Sequence, residues 1–227
     1  MGSGIYSLVV KDELIERVDS LTRKRNMSRS QIINEIIAEY FNVITPEYKI
    51  NQVMDLVAKE IRMSDFLQYL SEAKGSSIQC RASIRYKYNP KIRYMLELSG
   101  KEKDKLATLN IISRTQREDF FNYLVDFLKI IMLIERKSYS GFSKYSIKNG
   151  EFITDGKKFS IDFYYDWTKE HLSIEDISSY LADYIRMIHK AMNAYFEYVD
   201  YDVNTQIKVI NKVYMDYLQG GKIDEYE

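Results

Sequence analysis

The chain holds few of the side chains that make metal or nucleophile sites. It has one cysteine, Cys80, and two histidines, His171 and His189. One cysteine excludes a disulfide framework and a four-cysteine zinc site, and the histidines lie apart with no ligand spacing. No glycine-rich phosphate loop and no nucleophile elbow occurs. Cations are what recur at a useful spacing. Arg81, Arg85 and Lys87 share one parity of an alternating stretch, and Lys91 and Arg93 share one parity of the next. Arg23, Lys24 and Arg25 stand just before Ser28-Arg29-Ser30. The chemistry that the Arg81 to Arg93 group offers is electrostatic capture of phosphates. A solvated face of a half-buried sheet is the plainer reading of the Arg81 to Arg93 group. The expectation is a non-enzyme with no metal and no cofactor.

Charge is distributed unevenly. The total is 33 basic against 33 acidic residues, so a uniformly basic nucleic-acid coat is excluded. By segment, residues 1–44 carry 6 basic and 6 acidic, and 45–73 carry 3 and 5. Residues 74–117 carry 11 and 3, residues 118–159 carry 7 and 6, and residues 160–227 carry 6 and 13. The middle is therefore strongly positive and the C-terminal part strongly negative. The latter suits a solvated face or contact with a basic neighbour. No apolar run reaches the ~20 residues of a membrane span, and the first residues lack a secretory pattern, so a cytoplasmic location is expected.

Hydrophobic spacing sets the elements that position these groups. Ile5–Val10 has strand composition. Asp12–Arg25 places Leu14, Val18 and Leu21 at helical spacing. A second helix over Ser28–Phe41 opens with a capping box, Ser28 with Gln31. Thr45-Pro46-Glu47 starts a third helical stretch running to about Lys74, with a break near Met63-Ser64-Asp65. Gly75-Ser76-Ser77 marks a boundary. Beyond it the period becomes two over 78–88 and 91–99, around the turn dipeptide Asn89-Pro90, and 107–113 follows as a strand. Arg117–Lys137 reads as an apolar helix. A hairpin at Asn149-Gly150 joins 142–147 to 151–154, a strand covers 158–165, and helices cover 173–199 and 204–218. Residues 78–137 and 142–199 thus both read hairpin, strand, helix, which suggests a duplicated unit.

A strand with two short helices buries too little to fold alone, and its edge needs a partner. A second copy of the strand supplies both. At this point a resemblance is specific. Tyr6 to Asp19 resembles the strand and first helix of ribbon-helix-helix DNA-binding proteins of the MetJ/Arc group. Met27-Ser28-Arg29-Ser30-Gln31-Ile32-Ile33 resembles their turn and second-helix start. The resemblance covers residues 5–43 and implies a homodimer whose two-stranded ribbon enters the major groove of duplex DNA. It implies base contacts by Ile5, Ser7 and Val9, with Tyr6, Leu8 and Val10 facing the helices. It implies phosphate contacts at Ser28, Arg29 and Ser30 near the second-helix start, with Lys11, Arg23, Lys24 and Arg25 beside them. Arg81, Arg85, Lys87, Lys91 and Arg93 form a candidate second DNA surface.

The expected fold is α+β. Residues 1–44 form a dimeric ribbon-helix-helix domain, 45–75 a helical connector, and 76–227 a larger antiparallel α+β domain. The resemblance implies a repressor or autorepressor at repeated operators. Two alternatives remain open. One is an accessory protein at a plasmid transfer or partition site that recruits a relaxase or motor. The other is a regulator with a ligand-sensing C-terminal domain. Tetramerisation and a protein partner at the acidic C-terminal region also stay open.

Overall fold

The computed structural model describes residues 4–25, 27–41, 46–73, 77–99, 105–115, 117–138, 148–150, 153–155, 158–165 and 172–219. The chain divides into two compact units, residues 1–49 and 50–227.

The first unit is small. Residues 4–11 are extended and lead into α1 (Asp12–Arg25) and α2 (Arg29–Tyr40). The expected strand over Ile5–Val10 is not formed within one chain. A strand exists through its ladder partner, and a single chain supplies none. Val18, Ile32 and Ala38 are the buried apolar residues described in this unit. Ile5, Tyr6, Leu8, Val9, Leu14, Ile36, Ile37, Tyr40 and Phe41 are exposed, so most of its apolar surface faces outward. Isolated exposed apolar residues need no explanation, but a contiguous run of this kind marks an interface.

The second unit is built on an antiparallel sheet. Its strands are β1 (Gln68–Ala73), β2 (Ser77–Ser83), β3 (Lys91–Leu98), β4 (Lys105–Ser113), β5 (Lys148–Asn149), β6 (Ile153–Asp155) and β7 (Lys158–Tyr164). The order is β1-β2-β3-β4-β7-β5, with β6 also paired to β7. Helices α3 (Pro46–Arg62), α4 (Glu118–Ser138), α5 (Ile174–Glu197) and α6 (Val203–Leu218) join one core with the sheet. Alternation sets which strand residues enter it: Ile78, Cys80 and Ala82 on β2, Ile92, Tyr94, Leu96 and Leu98 on β3, and Phe159, Ile161 and Phe163 on β7. The thiol of Cys80 is buried, and its pKa is pushed up to about 12 by desolvation.

Helix α5 is the centre of this unit. Its capping box, Ser173 with Asp176, is formed as the sequence predicts. Sixteen of its 24 residues are buried, which makes it a core helix rather than a surface one. Arg186 ties it to α3, donating to the Glu60 carbonyl at 2.6 Å and its carboxylate at 3.0 Å. His189 links it to the sheet. Asn193 Oδ1 accepts from the Arg85 N–H at 2.8 Å, so the Asn193 amide nitrogen donates to His189 Nε2 at 3.0 Å. The imidazole proton then sits on Nδ1, donated to the Tyr94 hydroxyl oxygen at 2.9 Å.

Four sequence expectations change. First, the third helix ends at Arg62, near the expected break, but Gln68–Ala73 is strand β1 rather than more helix. The open edge of β2 outweighs the weak helical preference there, and the connector expected over 45–75 packs into the sheet unit through Val53, Val57, Ala58 and Ile61. Second, the strand expected over 78–88 stops at Ser83, paired with Lys91. Pro90 cannot donate to a ladder, and Tyr88 and Asn89 take φ of 71° and 46°. Third, Asn149-Gly150 is not a hairpin turn. Lys148–Asn149 and Ile153–Asp155 both pair antiparallel with β7, so the chain does not reverse between them. Gly150 lies close against β7 instead. Its N–H donates to the Asp162 carbonyl at 2.7 Å, and a Cβ there would lie 3.3 Å from that oxygen. Fourth, the hairpin is between β6 and β7, across residues 156–157. The expected strand 142–147 lies outside the described residues, and the described parts of the two halves differ: β2, β3 and β4 precede α4, while the broken β5/β6 strand and β7 precede α5.

Candidate nucleic-acid interface

The first unit presents its groups in a defined order. Lys11 caps α1 with its carbonyl, which accepts from Leu14 and Ile15 N–H at 3.0 and 3.2 Å, and its side chain is exposed. Asp12 and Glu13 follow in the first turn, where a carboxylate suits the helix dipole. At the start of α2, Ser28 Oγ accepts from Gln31 N–H at 3.3 Å, and Gln31 Oε1 accepts from Ser28 N–H at 2.8 Å. The N–H groups of Arg29 and Ser30 have no acceptor among the described residues. They project from the positive end of a helix dipole, a geometry that receives a phosphate.

Arg29 itself is placed differently from the expectation. Its guanidinium makes a two-pronged pair with Asp19 on α1, Nε to Oδ1 at 2.5 Å and Nη2 to Oδ2 at 2.6 Å. The hydrogen bonds from Arg29 lower the Asp19 pKa, and those to Asp19 raise that of Arg29. Its side chain therefore bridges α1 and α2 rather than standing free for phosphate. Asp19 was not singled out in the sequence, although an Asp ten residues before an Arg, on facing helices, is a readable pairing. Arg23 donates to the Asp19 carbonyl at 3.2 Å, and Lys24 is exposed. The side chain of Arg25 lies outside the described residues.

The extended segment carries the sharpest signature. Ile5 and Val9 are fully exposed, Tyr6 and Leu8 less so, and Val10 is half-buried. The segment is apolar and exposed, and it leads through α1 to the capped start of α2. Residues 7–42 match the family described as ribbon-helix-helix protein, copG family. The N-terminal unit is a ribbon-helix-helix domain. No curated protein and no solved structure matches the chain. The ribbon-helix-helix domain belongs to a family of DNA-binding regulators that typically dimerise. Among the described residues, no helix is long and apolar enough to cross a membrane.

In the second unit the expected basic surface is partly assembled. Arg81 and Arg93 are register partners across β2 and β3, on the face opposite the core, and Lys91 continues that parity. Arg85 and Lys87 leave the strand. Both sit in the β2–β3 turn, where Lys87 Nζ lies 5.5 Å from the centre of the Tyr86 ring. The turn and the β4–α4 junction line a cleft of about 340 Å³ that Arg114 and Arg117 also border. The sequence reading missed Arg114 and Lys158. The signal for both was strand parity, since Arg114 directly follows β4 and Lys158 opens β7.

Proposed function

We propose that the protein is a sequence-specific duplex-DNA-binding repressor that acts without catalysis, cofactor or metal. It dimerises through residues 5–43, and the paired segments around Ile5–Val10 form an antiparallel ribbon. Ile5, Ser7 and Val9 face the major groove, where Ser7 hydrogen-bonds a base edge and the aliphatic pair packs on thymine methyl groups. The N–H groups of Arg29 and Ser30, with Lys11, Arg23 and Lys24, hold the flanking phosphates. A twofold ribbon reads repeated half-sites, as suits an operator. The observation that carries this reading is the exposed apolar segment 5–10 leading into the capped helices of a ribbon-helix-helix domain.

A promoter–reporter fusion tests the regulatory task. With the promoter of the protein's own gene upstream of the reporter, expression falls several-fold when the protein is supplied. The Ser7→Ala, Val9→Ala variant restores it. Unchanged expression, with bound sites found only at a plasmid transfer or partition origin, would replace repression with the accessory role.

A further inference from the structure

We infer that the C-terminal unit carries a second DNA contact, a basic band on the outer sheet face that takes the phosphate backbone of duplex DNA without reading sequence. The choice of DNA as the anion rests on the proposed function, whereas the band itself follows from the sheet alone.

The band follows from register. On the face away from the core, cross-strand neighbours form rows about 7 Å apart along the strands. One row runs Arg81, Arg93, Ile112 and Lys158, on β2, β3, β4 and β7 in turn. It spans roughly 14 Å, three inter-strand steps. Beyond it, Lys91 and Arg114 extend the band past the strand ends. The next row inward is neutral: Gln79, Met95, Asn110 and Ser160. Of the acids on this face, Glu97 and Asp162 lie one row further on and are already engaged, while Asp155 stands opposite Lys158 at the β6 end of the basic row. Glu97 accepts from Asn110 at 3.2 Å, and Asp162 pairs with Lys105 at 3.0 Å. The face is therefore polarised, with cations at one end.

Two features point to an anion bound there. Arg81 and Arg93 stand directly opposite one another in an antiparallel pair, where like charges repel unless a counter-charge intervenes. Arg81 has only the neutral Gln68 amide, at 2.8 Å, as a hydrogen-bond partner. Among the described residues Lys91, Arg93, Arg114 and Lys158 have no acidic partner, although Asp155 stands opposite Lys158 in the β6 register. The second feature is the β2–β3 turn. Tyr88, a bulky residue, holds φ of 71°, a costly conformation that clusters at binding sites. Arg117 lies over its ring at 4.4 Å and pairs with Asp119, so the turn fixes a cation beside the band.

Duplex rather than single-stranded DNA fits this face. Capture of single strands relies on free aromatic faces for base stacking. The basic rows carry no aromatic residue, and one face of the nearby Tyr88 is covered by Arg117.

The test uses full-length dimer and three probes: a duplex carrying its preferred site, a random-sequence duplex and a single strand of equal length. Binding is titrated across salt for wild type, for Arg81→Gln with Arg93→Gln and Lys158→Gln, and for the exposed pair Lys91→Gln with Arg114→Gln. Each lost phosphate contact should flatten the slope of log K against log salt by about 1. The triple variant should weaken both duplexes about equally, by roughly 10-fold or more at low salt. The exposed pair tests the same surface with little risk to folding. Unchanged slopes and affinities in both variants would overturn the inference. So would a loss confined to the single strand. A ribbon that reads no sequence would make the two duplexes equivalent, yet the variants would still report on the band.

Discussion

Leu8→Glu yields a monomer and weakens binding to the preferred site by more than about 100-fold, equivalent to roughly 3 kcal/mol. In the proposed ribbon, strand alternation turns Leu8 toward the helices of the dimer and Ile5, Ser7 and Val9 to DNA. In one chain Leu8 is 67% exposed, and Ile36, Ile37 and Tyr40 on α2 are exposed with it. Each such side chain contributes roughly 1.5–3 kcal/mol when fully buried. A carboxylate in that interface loses its hydration without a partner, which reverses the contribution. Two half-ribbons cannot read a groove separately, so loss of the dimer is loss of recognition. Sedimentation equilibrium and anisotropy titration measure both effects. A Leu8→Glu protein that stays dimeric and binds like wild type would show that these residues do not form the ribbon.

Acid should destabilise the protein through His189 well above the carboxylate range. Desolvation, helped by the positive charge of Arg85, lowers its pKa from 6.5 to about 4. The folded state therefore holds a neutral imidazole where the unfolded chain takes up a proton. Stability is full above pH 6.5 and falls as the pH drops toward 4, because only the unfolded state gains the proton. Between pH 7 and 5 the loss is about 2 kcal/mol. Asp19, Asp119 and Asp202 have lowered pKa values, so their contributions are lost only at lower pH. Urea midpoints at pH 7, 6 and 5 measure the slope. His189→Phe costs stability at pH 7, since Tyr94 and Asn193 lose a partner, but its midpoint should stay flat across this window. A slope that persists in the variant would assign the acid sensitivity elsewhere.

The elements that were legible in the sequence had local causes. Ser28 with Gln31 and Ser173 with Asp176 announce their helices because the cap residues satisfy backbone groups three positions away. The inward parity of Cys80, Ala82, Ile92 and Tyr94 was visible because a period of two survives any arrangement of neighbours. What depended on distant neighbours was not. Gln68–Ala73 becomes a strand only because β2 lies beside it. Gly150 looks like a turn residue, yet it lies alongside β7 and donates to the Asp162 carbonyl. Arg29 reads as a free phosphate ligand until α1 brings Asp19 to it. Lys158 and Arg81 are 77 positions apart, and only the order β2-β3-β4-β7 sets them in one row.

The proposed function stands on residues 5–10 of two chains forming the reading ribbon. Selection of full-length protein on a randomised duplex library, followed by sequencing, tests it most directly when run beside the Ser7→Ala, Val9→Ala variant at moderate salt. Wild type should enrich a short repeated motif, with enrichment reduced in the variant while dimerisation and non-specific affinity persist. Equal enrichment of the same motif by both proteins, or no motif for either, would contradict it.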